Sequence, residues 1–189
     1  MNIKWETPQD FFNELDKEFH FDIDVCAVES DTKIKNFFSP VVNGLSVPWV
    51  GKCWMNPPYD RSISRWVEKA YKEAQKGGLI VCLLPGRSSD TKWFHDYVMK
   101  ASEIRFVKGR IQFLHNKMLG QGSNISNILV IFRPYCKGPP VVSNIDRWGR
   151  PCNKPLHSDS KILHPIQWPV IGDMPDTINC PVCGTICRK

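Results

Sequence analysis

Four consecutive residues, Asn56, Pro57, Pro58 and Tyr59, have the clearest potential for chemistry in this sequence. The two prolines stiffen the backbone, fix the direction of the first proline's carbonyl and hold the flanking side chains at a set separation. The stretch therefore predicts a built site, and the alternative is a rigid turn after a strand.

The elements around this turn follow a regular alternation. An apolar run precedes it and a helical pattern follows it, so the turn lies at the carboxyl end of a strand. Predicted helices cover residues 8–19, 63–75 and 90–99. A first short strand is predicted to end near residues 24–27, and further strands cover 50–55, 79–85 and 103–107. Such alternation predicts an α/β fold with a parallel sheet, helices on both faces and ligand sites at the carboxyl ends of its strands.

The last part of the chain has a different character. Residues 109–114 and 127–132 are apolar and have no helical pattern between them, so we expect a final pair of antiparallel strands. From Arg133 onward the composition shifts to Pro, Gly and Cys. The sequence therefore predicts a main domain of residues 1–135 and a small Pro- and Cys-rich C-terminal extension of residues 136–189.

The composition is that of an ordinary globular protein, with 42% hydrophobic and 23% charged residues, which argues against disorder. Neither a bilayer-spanning apolar segment nor a signal peptide is evident, so we expect a cytoplasmic protein. In that reducing compartment Cys26, Cys53 and Cys82 are predicted to be buried thiols. The net charge of +6 suits an anionic partner such as nucleic acid without requiring one.

The complete Asn-Pro-Pro-Tyr motif resembles the signature of S-adenosyl-L-methionine-dependent amino-methyltransferases. Together with its flanking motifs it resembles the phage-type DNA N-6-adenine methyltransferases, a small single-domain family. The matching motifs occupy residues 5–8, 21–27, 43–49, 56–59, 83–85 and 108–113. The resemblance covers residues 4–132. It implies an adenine-specific, site-specific DNA methyltransferase whose catalytic domain, residues 1–135, has a Rossmann-like class I sheet.

The resemblance implies a role for each residue of the turn. The lone pair of adenine N6 is delocalised into the ring, so the amine must be polarised before it can attack a methyl group. Asn56 and Pro57 would accept its two hydrogens and aim the lone pair at the sulfonium methyl of S-adenosyl-L-methionine. Pro58 would stiffen the turn, and Tyr59 would stack on an adenine flipped out of the duplex.

A cofactor site is also implied, at the start of the first helix and the end of the first strand. Its residues would be Trp5, Thr7, Pro8, Asp24, Val25, Cys26, Ala27 and Asn43. Asp24 would hold the cofactor's ammonium, and capping of the next turn is the alternative for this residue. Thr7 would lie by the cofactor's carboxylate. Asn43 stands where the family tends to carry Asp, and its oxygen can still accept a hydrogen bond from the cofactor's adenine.

DNA is the expected partner. Five basic residues lie near predicted carboxyl ends of strands, on the face where a flipped base must enter: Arg61, Arg65, Arg87, Lys108 and Arg110. Contacts from these residues to DNA phosphates are one interpretation, and solvated surface charge is the other.

The C-terminal cysteines favour a structural zinc site. Cys180 and Cys183 are separated by two residues and followed by glycine, a spacing that lets a turn present two thiolates to one metal. Cys187 and Cys152 would complete a tetrahedral set. Other candidates for the last ligand are Cys136, His157 and His164. Disulfides and spare thiols are the alternatives.

Other activities share the Asn-Pro-Pro-Tyr chemistry. A methyltransferase acting on a protein glutamine amide or on an RNA base would use a similar turn. A non-catalytic nucleic-acid-binding module built around the zinc knuckle is a third interpretation. The resemblance favours DNA and suggests phage DNA modification that protects against host restriction.

Overall fold

The computed structural model describes residues 6–115, 118–119, 125–152, 177–179 and 186–188. The chain forms two compact units, Met1–Lys154 and Pro155–Lys189. In the second unit, strands β9 (Thr177–Asn179) and β10 (Ile186–Arg188) pair in antiparallel fashion. The α/β part of the chain is the first unit.

The first unit is built on a six-stranded sheet. Its strands are β1 (Ile23–Asp24), β2 (Lys52–Met55), β3 (Leu79–Pro85), β4 (Glu103–Lys108), β7 (Asn127–Phe132) and β8 (Val141–Asp146). Their order is β1-β2-β3-β7-β4-β8, and β7 runs antiparallel to both of its neighbours while the other pairs are parallel. A separate antiparallel ribbon pairs β5 (Leu114–His115) with β6 (Met118–Leu119).

Helices pack on both faces of this sheet. They are α1 (Gln9–Phe19), α2 (Ile63–Gln75) and the short α3 (Lys92–Asp96), followed by a 3-10 turn, Val98–Lys100. The apolar side of α1 is buried with Val81 and Leu83 of β3, whereas that of α2 is buried with Cys82 and Leu84. Because alternate side chains of a strand point to opposite faces, the two helices cover opposite sides of the sheet.

Most of the predicted elements are present. α1 begins at Gln9, directly after Pro8, and its four buried residues follow the predicted apolar stripe. α2 ends just before the Gly77-Gly78 pair. The third helix is shorter than predicted, because only Lys92–Asp96 is α-helical. The mixed α/β fold class is therefore confirmed.

The predicted pairing of residues 109–114 with 127–132 is wrong. Residues 109–113 are not in a strand, and Leu114 pairs with Leu119 in the separate ribbon. β7 lies instead between β3 and β4 and is antiparallel to both. In that position its six residues are all buried, which explains why the run after Asn127 is uniformly apolar.

The sheet also extends beyond the boundary predicted after Tyr135. β8 pairs with β4 in parallel over six residues, and the first compact unit runs to Lys154. Composition obscured this strand because β8 is at the edge of the sheet and its first four residues are exposed. Such a strand lacks the apolar run that marks a central one.

One edge of the sheet brings together the segments that follow β1, β2, β3, β4 and β8. Those strands run in the same direction, so their carboxyl ends lie side by side, next to the beginning of the antiparallel β7. The Asn-Pro-Pro-Tyr turn follows β2 at this edge. Within the described parts of the chain, no helix has the length and apolar character needed to span a bilayer.

Candidate active site

Asn56 follows the last residue of β2 and is held by a hydrogen bond to the segment before α1. Its amide nitrogen donates to the Thr7 hydroxyl oxygen at 3.1 Å. Thr7 is only 4% exposed and precedes Pro8, the cap residue of α1. Because its nitrogen is engaged by Thr7, Asn56 presents its amide oxygen as a hydrogen-bond acceptor.

Tyr59 is anchored through its hydroxyl at the ends of two strands. The hydroxyl donates to the Leu83 carbonyl of β3 at 3.3 Å and accepts from Asn127 Nδ2 of β7 at 3.0 Å. The residue as a whole is 36% exposed, while its hydroxyl is engaged by both of these partners. Burial raises the pKa of Tyr59 well above its usual value, against the opposing effect of the Asn127 hydrogen bond. The phenol therefore stays neutral and able to donate.

Asn127 is a site residue that the sequence did not identify. It opens β7 opposite Pro85 and is 3% exposed. Its Oδ1 is buried and has no hydrogen-bond partner among the described residues. Burying an amide with one unpaired atom costs free energy. The hydrogen bond from Asn127 Nδ2 to Tyr59 gives a reason for keeping an asparagine here despite that cost. The one signal in the sequence was a polar residue at the head of an apolar run.

A cavity of about 660 Å³ opens beside the turn, a size typical of small-molecule sites. Among the predicted site residues, its lining includes Cys26, Ala27, Asn43, Asn56, Pro57, Pro58 and Tyr59. It also includes six apolar residues that were not predicted as site residues: Val28, Phe38, Pro40, Trp66, Phe113 and Ile125. Trp66 was predicted on the buried face of its helix and Phe113 in a strand, whereas Phe38 and Pro40 come from a segment without a recognisable period.

The wall of this cavity depends on a close approach at Gly44. A Cβ atom at this position would lie 2.2 Å from the Val25 carbonyl oxygen, so only glycine fits. The preceding Asn43 has a φ of 54°, in the left-handed region that asparagine tolerates better than most residues. This local backbone brings Asn43 next to the segment that follows β1.

Asp24 lines a second cavity of about 20 Å³, together with Thr7, Cys26 and Asn56. This volume suits a single water molecule. Asp24 is buried, and its Oδ1 accepts a hydrogen bond from the Cys26 backbone N–H at 3.0 Å. The turn-capping role considered for Asp24 is therefore present, and Asp24 also lines the smaller cavity.

The other predicted cofactor residues are placed differently. Val25 is fully buried in the core, so its side chain faces away from both cavities. Pro8 caps α1 and is half-buried. Trp5 lies outside the described residues. Cys26 was predicted as a buried thiol, but it is half-buried and lines both cavities.

Each of the five basic residues predicted to contact DNA is exposed: Arg61, Arg65, Arg87, Lys108 and Arg110. Arg61 and Arg65 lie on either side of the start of α2, and Arg87 follows β3. Lys108 ends β4, two residues before Arg110. All of them are near the sheet edge that carries the turn, which keeps the predicted phosphate contacts geometrically possible.

The predicted zinc ligands lie mostly outside the described residues, namely Cys180, Cys183 and the side chain of Cys187. Cys152 is described and half-buried. The described part of the chain has no group of three or more His, Cys, Asp or Glu side chains suited to a metal. The thiols of Cys53 and Cys82 are buried, as predicted, and burial raises the pKa of Cys53 to about 12.

Comparison with known proteins agrees with the geometry of the turn. Residues 2–150 match the family model of the DNA N-6-adenine-methyltransferases (Dam). The chain is also 36% identical over 137 residues to the DNA N-6-adenine-methyltransferase of Haemophilus phage HP1 (strain HP1c1), across 69% of this chain and 78% of that relative. The matched region contains the turn, Thr7, Asn127 and the whole six-stranded sheet. This protein therefore belongs to the DNA N-6-adenine-methyltransferase family.

Proposed function

We propose that this enzyme transfers a methyl group from S-adenosyl-L-methionine to the N6 amine of adenine in DNA. The observation that carries the proposal is the hydrogen bond from Asn56 to Thr7. It engages the amide nitrogen, so the amide oxygen is the atom available to the substrate. An exocyclic amine donates hydrogen bonds and therefore needs an acceptor facing it. If the Asn56 amide were flipped, its NH2 group would face the amine, and two donors would meet.

The chemistry of the turn follows from this orientation. The Asn56 oxygen and the Pro57 carbonyl accept the two N6 hydrogens and bring the nitrogen toward tetrahedral geometry, which frees its lone pair. S-adenosyl-L-methionine supplies an activated methyl group when it is bound. The methylated nitrogen is acidic and loses a proton to solvent, so no strong base is needed. The hydrogen bond to Thr7 holds the Asn56 amide in this orientation during the reaction.

Tyr59 holds the target base in place. A duplex adenine must be flipped out before its amine can reach the turn, and an aromatic ring can stack on it there. The enclosed hydroxyl of Tyr59 fixes the ring, while its exposed part is available to the base. Pro58 restricts the backbone between Asn56 and Tyr59, and so limits the positions that Tyr59 can take relative to Asn56.

The large cavity is the proposed cofactor site. Its volume and apolar lining suit a nucleoside with an aliphatic extension, and it includes Asn56 at one side. Cys26, Ala27 and Asn43 would contact the cofactor there, with the Asn43 side chain toward its adenine. Asp24 and Thr7 would hold its ammonium and carboxylate, directly or through the water-sized cavity between them. Trp5, Pro8 and the backbone of Val25 complete the proposed set.

We infer that the sheet is the Rossmann-like sheet of class I methyltransferases. The single antiparallel strand within an otherwise parallel sheet, and a cavity at the carboxyl edge, support this assignment. The catalytic domain would then include β8 and extend past residue 135. Arg61, Arg65, Arg87, Lys108 and Arg110 would contact DNA phosphates around the flipped base.

The C-terminal segment and the biological role are further proposals. Cys152, Cys180, Cys183 and Cys187 would hold a structural zinc ion, which metal analysis of the purified protein would test. By analogy with the phage relative, the enzyme would modify DNA in the cytoplasm of a bacterial host and protect it from restriction.

The decisive experiment is transfer of labelled methyl from S-adenosyl-L-methionine to unmethylated DNA, with RNA and protein extract as parallel acceptors. We expect label in DNA, recovered as N6-methyldeoxyadenosine after nucleoside analysis. Label confined to RNA or protein would instead assign the turn to an RNA base or a glutamine amide. Absence of both transfer and cofactor binding would contradict the proposal.

A further inference from the structure

A short hairpin follows β8 at the sheet edge that carries the active site. After Asp146 the chain turns back, with the Asp146 N–H donating to the Arg150 carbonyl at 2.8 Å and the Cys152 N–H donating to the Asn144 carbonyl at 3.2 Å. Asp146 also stabilises the turn through its side chain. Its Oδ1 accepts from the backbone N–H groups of Trp148 and Arg150, at 2.9 and 3.0 Å. The tip of this hairpin, residues 147–150, is therefore well ordered by local bonds.

The tip displays an aromatic ring in contact with two guanidinium groups. The Arg147 guanidinium carbon lies 4.3 Å from the Trp148 ring centroid, and that of Arg150 lies 5.0 Å from it. Trp148 is 41% exposed, an unusual position for the largest apolar side chain in a globular protein. Stacking on the guanidinium groups restricts the ring, which lowers the entropic cost of binding a ligand.

Contacts with α1 connect the tip to the catalytic turn. A Cβ atom at Gly149, whose φ is +88°, would lie 3.1 Å from the Phe11 carbonyl oxygen, so the hairpin packs closely on the first turn of α1. Phe11 is four residues after Thr7, which holds Asn56. The tip is thus a near neighbour of the active site through one short stretch of helix.

A second contact connects the tip to basic residues already assigned to DNA. β8 runs beside β4 with Lys108 opposite Asp146. A Cβ atom at Gly109 would lie 3.8 Å from Arg147 Cβ, so the two segments touch just beyond the strands. Lys108, Arg110, Arg147 and Arg150 are all exposed here, and Asp146 is paired with Arg150 at 2.9 Å. Even with this ion pair, the four basic side chains leave an excess of positive charge on this surface.

We propose that the hairpin tip, residues 147–150, binds the sugar-phosphate backbone of duplex DNA beside the flipped adenine. Clustered guanidinium groups contact phosphates, and an exposed tryptophan packs on a sugar or an unstacked base next to them. The tip packs on the first turn of α1, next to the segment that holds Asn56, and lies outside both cavities, so its position fits DNA that flanks the target and does not fit the cofactor. This inference rests on the proposed DNA substrate.

Salt dependence of DNA binding tests the role of Arg147. Each phosphate contact contributes a slope of about 0.9 to the dependence of log K on log salt, so Arg147→Gln should lower the slope by about 1. Lys137→Gln is the matched control, because Lys137 is exposed and lies past the end of β7, at the opposite edge of the sheet. It should leave the slope at the wild-type value.

Methylation kinetics on a long duplex provide a second readout. Arg147→Gln and Trp148→Ala should each raise KM for DNA several-fold and leave kcat within about twofold, since neither residue contacts the reacting amine. Equal slopes and equal KM values for wild type, Arg147→Gln and Trp148→Ala would overturn the inference while wild-type methylation of DNA stands. Failure of the wild-type enzyme to methylate DNA would instead contradict the proposed function.

Discussion

The side-chain amide of Asn56 and the hydroxyl of Thr7 are 49 residues apart in the chain and 3.1 Å apart in the fold. The bond joins the end of a central strand to the segment that starts α1. Both residues border the small cavity next to the proposed cofactor site. Orientation of the reacting amine and binding of the cofactor are therefore expected to depend on the same threonine.

Asn56→Ala should lower methyl transfer by about a hundredfold to a thousandfold, the usual effect of removing one preorganised hydrogen-bonding group from an active site. Cofactor affinity should change little, because the cavity keeps most of its lining. Single-turnover rates and equilibrium cofactor binding measure the two effects separately. Asn13→Ala, on the solvent side of α1, is the control and should match wild type. A retained rate in Asn56→Ala would remove the turn from the mechanism.

Thr7→Val should reduce kcat by about fivefold, the equivalent of one buried hydrogen bond of about 1 kcal/mol. Without the hydroxyl, the Asn56 amide loses the partner that selects its orientation. Thr7→Ser keeps the hydroxyl and should restore most of the rate. A wild-type rate for Thr7→Val together with a reduced rate for Thr7→Ser in steady-state kinetics would show that the methyl group of Thr7 matters and the hydrogen bond does not.

Asn127 and Tyr59 should act as a pair. Tyr59→Phe removes the hydroxyl that Asn127 holds, so Asn127→Leu should reduce kcat/KM in the wild-type background and have little further effect beside Tyr59→Phe. A double-mutant cycle on kcat/KM should give a coupling energy of about 1 kcal/mol. Thermal unfolding of each variant controls for loss of fold. Additive effects would show that Asn127 supports the site without acting through the tyrosine.

Acid should destabilise the fold through Glu103. Partial burial acts to raise the pKa of Glu103, but hydrogen bonds from Arg105 and Arg133 outweigh it and hold that pKa below its usual value of 4.5. A depressed pKa means that the ionised carboxylate stabilises the folded state above pH 4.5, and that this contribution is lost as pH falls through the lower folded-state pKa.

Urea unfolding at neutral pH and at about pH 3 measures this contribution. The free energy of unfolding of wild type should fall more between the two conditions than that of Glu103→Gln. Arg133→Gln, which removes one of the two partners, should give an intermediate change. An identical pH dependence in wild type and Glu103→Gln would exclude Glu103 as the group responsible.

Most of the predicted helices and strands follow from local sequence patterns. The apolar stripe of α1, the Gly-Gly stop after α2 and the uniform apolar run of β3 each depend on residues close in sequence, so their period is visible without a structure. Strand pairing is not local. The insertion of β7 between β3 and β4 depends on contacts across tens of residues, which no short window contains.

The site shows the same division. Asn56, Pro57, Pro58 and Tyr59 are consecutive, so the turn was visible at once. Asn127 is 68 residues from Tyr59, and nothing in its own neighbourhood indicates a partner there. The hairpin tip around Trp148 follows an exposed edge strand in a region dominated by turn residues, and for this reason its composition resembles that of a loop.

The position of β7 also constrains how the chain can fold. Within the described sheet, β4 and β8 are joined to β1, β2 and β3 through β7 alone. During synthesis, β1, β2, β3 and then β4 emerge before β7. Until β7 is made, the edge of β3 that pairs with it has no partner strand from the described sheet. An exposed edge of this kind promotes association between chains. We therefore expect nascent chains stalled before residue 132 to be the ones most prone to aggregate.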